Sequence, residues 1–151
     1  MRVTTTDGAT TRELRRRVLR SHQRPEDPMP GDDRPDARHL AAFDDDGRLL
    51  GTCLVFAEPC SWRPERPAWI LRSMAVEPDA QGRGVGREVL AAALDTARDG
   101  GAALLWCHAR DTAAGFWRAM GFRDRWPDGD DRQVYVEPST QIPHRDMWRT
   151  L

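Results

Sequence analysis

Lysine and asparagine are absent from the 151 residues, and tyrosine occurs once. Both missing types use A/T-rich codons, so codon usage explains the gap. It still has a chemical consequence: a Walker A phosphate loop needs a lysine, so that nucleotide site is excluded. Cysteine is scarce. Cys53, Cys60 and Cys107 are odd in number, widely spaced and form no C-x-x-C pair, which argues against a disulfide framework or zinc ribbon and suggests no metal site. No apolar run reaches the roughly 18 residues a membrane span needs, and Met1 to Asp7 has no apolar signal core. Charge of one sign is not in excess: 23 basic residues, all arginine, face 24 acidic ones for a formal net charge of −1. A dedicated nucleic-acid binder usually carries a basic surplus. The expectation is a cytoplasmic protein whose partners include neither nucleic acid nor membrane.

The length suits one domain over residues 1–151, and 39% hydrophobic content is enough for a packed core. Residues 2–5 suit a short strand. Leu14, Val18 and Leu19 stand at helical spacing behind Thr10 or Thr11 as cap. The arginines of that helix are expected on its solvated face, with anion binding as their other possible role. Residues 20–37, rich in proline, cannot hold a helix and read as a long loop. A hairpin follows, 39–43 and 48–56 around Asp44-Asp45-Asp46-Gly47. Ala68–Val76 and Ala102–Ala109 read as central strands. Between them stands a helix with Val85, Val89, Leu90, Ala93, Leu94 and Ala97 on one face. That βαβ order predicts parallel neighbours. A short helix from Ala113 to Met120 ends at Gly121, and edge strands are expected around 122–123, 133–136 and 147–149.

The turn between the first central strand and its helix is Gln81-Gly82-Arg83-Gly84-Val85-Gly86. Glycines let the chain curl so that amides point inward at a helix start, where the dipole favours an anion. Arg83 and Arg87 add fixed positive charge suited to phosphate. The dinucleotide fingerprint fails, because the position that needs its last glycine is Arg87.

Met74-Ala75-Val76-Glu77-Pro78 followed by that turn resembles the acetyl-CoA motif of the GNAT N-acetyltransferase superfamily, Q/R-x-x-G-x-G/A. Ala113, Phe116, Gly121 and Phe122 match the superfamily's second motif, and the element order agrees over nearly the whole chain. Arg15 to Arg20, Pro30 to Asp33, Leu105 to Cys107 and Ile142 to His144 look most like a small bacterial subgroup of undefined substrate. The resemblance implies an α+β fold: a mixed, mostly antiparallel central sheet flanked by helices, with two splayed parallel central strands. It implies acetyl transfer from acetyl-CoA to a primary amine of a small molecule or peptide, without a metal, and a possible homodimer. Met74, Ala75 and Val76 would meet the pantetheine, with an amide near Val76 stabilising the oxyanion. Gln81, Gly82, Arg83, Gly84, Val85, Gly86 and Arg87 would hold the pyrophosphate. Arg110, Ala113, Phe116 and Trp117 would complete the cofactor site.

Two departures bear on chemistry. Trp117 stands where many relatives carry the tyrosine thought to protonate the departing thiolate, and an indole can donate a hydrogen bond but is no acid. Arg110 replaces a smaller polar residue and faces either cofactor phosphate or solvent. For the base, His108, His144, Glu77 and Asp111 are candidates, with His108, His144 and Trp117 the expected catalytic residues. Tyr135 is expected on a strand surface. Arg72, in an apolar strand, must be paired or face the substrate. The acidic stretches 26–36 and 44–46 leave a cationic acceptor open. A non-catalytic acyl-CoA sensor and a plain interaction module are the rival classes.

Overall fold

The computed structural model describes residues 1–151. In chain order its elements are β1 (Arg2–Thr6), α1 (Gly8–Leu19), β2 (Arg38–Phe43), β3 (Leu49–Ala57), β4 (Ala68–Val76), α2 (Val85–Asp99), β5 (Leu104–Arg110), α3 (Ala114–Ala119), β6 (Arg123–Asp124), β7 (Tyr135–Glu137) and β8 (Ile142–Thr150). One sheet runs β1-β2-β3-β4-β5-β8-β6, and β7 pairs another stretch of β8. Every pairing is antiparallel except β4 with β5. The expected mixed α+β architecture is therefore present. The tail corrects the edge-strand expectation: β8 is nine residues long and lies inside the sheet, between β5 and the short β6 and β7.

The α2 face follows its sequence pattern. Val85, Val89, Leu90, Ala93, Leu94 and Ala97 are all buried. They pack with Leu71, Leu105, Cys107 and Trp117 on one side of the sheet. Each large aliphatic side chain so buried contributes about 1.5–3 kcal/mol. The opposite side carries Leu54, Phe56, Ile70, Leu104, Trp106 and Trp148. There α1 lies across the sheet, with the Leu19 carbonyl bonded to Arg110.

The start of α1 differs from expectation in two ways. Asp7, not Thr10 or Thr11, is the cap, and its carboxylate accepts from the Thr10 amide at 2.7 Å. Arg15 is 1% exposed rather than solvated. It donates to Asp32 at 2.7 Å and to the Gly8 carbonyl at 2.9 Å. Arg12 reaches the same Asp32 at 2.8 Å. The proline-rich segment between α1 and β2 is thus a loop fastened by a buried ion pair. A charge so placed is tolerated only because its donors are matched.

The β4–β5 ladder is short. Pairing runs from Ala68↔Leu104 to Leu71↔Cys107 and stops, while β5 stays paired with β8 as far as Arg110↔His144. The cause lies in β4. Between Leu54↔Arg72 and Thr52↔Ala75, β3 advances two residues and β4 three. The extra residue is a bulge around Ser73, whose φ is +53°. It also exchanges faces. Trp69 and Leu71 face the α2 side before it; Met74 and Val76 do so after it. Arg72 is left on the α1 side.

Candidate active site

A cavity of about 1030 Å³ opens where β4 and β5 part. Its lining comes from both sides of the sheet, so it passes through the gap. On the α2 side it meets Met74, Val76, the glycine turn, Arg87, Phe116 and Trp117; on the α1 side it meets Arg20, Arg72, His108, Arg110, Tyr135, Glu137 and His144.

The first arm is made largely of main chain. Past Leu71 the β5-facing edge of β4 has no strand partner, so Met74, Ala75 and Val76 present it to the gap. Gly82 and Gly84 have φ of +76° and +84°, and a Cβ at either would meet nothing within 4 Å. Glycine is required there by conformation rather than by crowding. Gly84 is the N-cap of α2, and no side chain caps that helix. Its leading amides are therefore available to an anion. Gln81 ties the turn to β4 by donating to the Val76 carbonyl at 3.3 Å. Gly86 sits beneath Met74 and Phe116, 3.5 and 3.6 Å from where its Cβ would stand. Ala113 also lines this arm.

Several expected residues lie elsewhere. The Arg83 side chain is outside the cavity lining, close enough to Asp79 to help lower its carboxyl. The Val85 side chain is buried in the core, 2% exposed, so only its main chain can serve the turn. Arg110 turns to the α1 side, where it donates to the Leu19 carbonyl at 2.8 Å; it is neither beside the glycine turn nor free in solvent. Trp117, 5% exposed, is wedged edge-on between Phe116 and Phe122.

The second arm is made of side chains. Strand alternation puts Trp106, His108 and Arg110 of β5 on one face, opposite Trp148, Asp146 and His144 of β8. Asp146 Oδ1 lies 2.7 Å from His108 Nδ1 and accepts the Tyr135 hydroxyl at 2.7 Å. Its Oδ2 accepts from Arg125 at 3.1 Å. Burial pushes the Asp146 carboxyl up, but the bonds from His108 and Tyr135 outweigh it and the net shift is downward. The ionised Asp146 accepts the Nδ1 proton of His108, which leaves Nε2 as the basic nitrogen. Burial, then the bond to Asp146, holds the Tyr135 phenol well above its usual range, so it stays protonated.

His144 is 8% exposed, donates from Nδ1 to the Ile142 carbonyl at 2.8 Å and stacks on Tyr135. Glu77 pairs with Arg17 at 2.6 Å and Asp111 with Arg145 at 2.6 Å. Neither of those carboxylates is a free base. Tyr135 is part of the site rather than a surface aromatic. Sequence reasoning missed Asp146 and Arg20. For Asp146 a signal existed: it stands two residues from His144 in a strand, hence on the same face.

The sequence matches a family model described as the acetyltransferase (GNAT) family over residues 9–122. A search of curated proteins finds no match. Among solved structures, Escherichia coli ElaA has a TM-score of 0.72 at 18% identity, covering 99% of this chain and 99% of that one. An acyl-CoA N-acyltransferase from Pseudomonas aeruginosa gives 0.70 at 23% identity, with 99% of each chain covered. An aminoglycoside 6'-N-acetyltransferase complexed with coenzyme A gives 0.70 at 13% identity, covering 99% of this chain and 97% of that one. At these identities the likeness shows the shared fold.

Proposed function

From the premise that the chain belongs to the GNAT acetyltransferase family and transfers acetyl from acetyl-CoA, we propose that His108 is the base that readies a primary amine for that transfer. The observation that carries the proposal is the 2.7 Å contact between Asp146 and His108 at the mouth of the gap. A neutral imidazole oriented in this way can take a proton from an incoming amine, an effect worth typically 10²–10⁴-fold. Asp146 and Tyr135 act as positioning residues that fix the ring.

The residues of the first arm fit acetyl-CoA. The uncapped start of α2, the open glycine turn and Arg87 suit a diphosphate. The unpaired edge of Met74 to Val76 suits the amides of a pantetheine arm. When bound there, acetyl-CoA supplies a thioester whose carbonyl carbon accepts the amine lone pair as the C–S bond breaks. The Val76 amide is placed to support the carbonyl oxygen. Trp117 Nε1 makes no hydrogen bond within the protein and remains a donor for the departing sulfur, with water as the proton source. His144 backs Tyr135 and the acceptor wall rather than serving as a second base. A non-catalytic sensor reading is not favoured, because the cavity holds an oriented base.

Three unpaired, buried thiols support a reducing compartment such as the cytoplasm. No helix is long and apolar enough to cross a membrane.

The reaction is followed by free thiol release from acetyl-CoA with an amine panel. His108→Gln should lower kcat/KM while acetyl-CoA still binds. Asp146→Asn should lower kcat/KM less, since the base is kept and only its orientation is lost. Unchanged kcat/KM in both variants would dismiss the role.

A further inference from the structure

The α1 side of the cavity holds three guanidinium groups, Arg20, Arg72 and Arg110. Arg110 gives one N–H to the Leu19 carbonyl, and Arg20 gives one to the Ser139 hydroxyl at 3.3 Å. Arg72 makes no hydrogen bond and no ion pair with any group of the protein, although it is half-buried in the sheet. Its five donors form a planar fork suited to a carboxylate.

The nearby carboxylates are already engaged. Glu137 accepts from the amides and hydroxyls of Ser139 and Thr140 at 2.6–3.2 Å. Asp146 is shared among His108, Tyr135 and Arg125. Glu58 and Glu137 both act on Arg72, but only through space, and Glu58 lies 3.9 Å from Arg34. Burial works against the charge of both Arg72 and Arg110, and Arg20 adds to that burden in each case. A concave site with surplus positive charge and an unmatched fork is completed by an anion.

Arg72 and His108 face the same side of the sheet. The parallel register, which pairs Ile70 with Trp106, would set these two opposite each other had β4 not turned away. We propose that the acceptor is an amine that also carries a carboxylate, of the α-amino acid type, with Arg72 gripping the carboxylate while the amine lies at His108. This rests on the acetyltransferase reading and names its substrate class.

The test uses matched sets: free amino acids, their carboxamides, and the amines left after decarboxylation, each assayed for acetylation at fixed pH. Binding of free amino acids and their carboxamides to the CoA-loaded protein is measured in parallel by calorimetry. Amino acids should exceed their carboxamides by about 10- to 100-fold in kcat/KM, mainly through KM, as expected for a charge-assisted pair. Arg72→Gln should collapse that preference, and Arg72→Lys should recover part of it. CoA-induced thermal stabilisation of each variant shows that it is folded. Equal or better turnover of carboxamides or diamines overturns the proposal. So does a preference that survives Arg72→Gln, or failure of every amino acid to bind the CoA-loaded protein. Failure of the acetyltransferase reading would look different: no CoA-induced stabilisation and no thiol release with any amine.

Discussion

The two arms of the cavity are built from different materials. The α2-side arm offers a ligand main chain: an uncapped helix start, two glycines at positive φ and a strand edge left without a partner. The α1-side arm works with side chains drawn from α1, β4, β5, β7 and β8. Main-chain recognition tolerates change in most neighbouring side chains but not in backbone conformation. Side-chain recognition has the opposite sensitivity, so substitutions that separate the arms test the comparison.

The largest effect is expected at His108. His108→Gln should lower kcat/KM by about 10²–10⁴-fold, with little change in acetyl-CoA affinity by calorimetry. A matching loss of affinity would merge the two arms into one. Gly84→Val should do the reverse and weaken acetyl-CoA binding by about 100-fold, because a β-branched residue cannot adopt φ of +84° cheaply. Retained affinity would refute the main-chain account. Trp117→Phe keeps the ring packing but removes the indole donor. It should lower kcat by up to about 10-fold, with thermal stability reporting the packing separately.

Two smaller effects concern the frame that holds the arms apart. Ser73→Val should cost about 1–2 kcal/mol in denaturant unfolding, since φ of +53° is poor for a β-branched residue. Ser73→Gly should not. The smallest effect is expected at His39, on β2, where burial lowers the imidazole below its ordinary value of 6.5. The folded chain then binds fewer protons than the unfolded one just below that pH. Stability should rise with pH through the window and fall on acidification. His39→Gln should flatten that part of the curve in thermal melts taken across about pH 5–7.

The arms also differ in how legible they are in the sequence. The glycine turn stands in six consecutive residues between a strand and a helix, and in the structure Gly82 and Gly84 take positive φ just before α2 begins. Sequence placed His108 at the cavity but not the Asp146 that orients it, because their pairing depends on the register of β5 with β8. Arg72, Met74 and Val76 look equivalent by strict alternation. The bulge at Ser73 separates them, and nothing in the local composition announces it. Arg15 reads as solvated in the sequence because the loop that buries it carries no periodicity to place it. The acidic residues of that loop gave no guide to the acceptor either, since Asp27, Asp32 and Asp36 all have arginine partners.

By itself the sequence determined the central strands, the helix between them and the anion-ready turn, since hydrophobic period, glycine conformation and helix start are properties of a few adjacent residues. Only the tertiary structure decided how far β4 and β5 stay together, which face Arg72 takes and what holds His108, because those depend on strand register and a single inserted residue, set by contacts between segments distant in the chain.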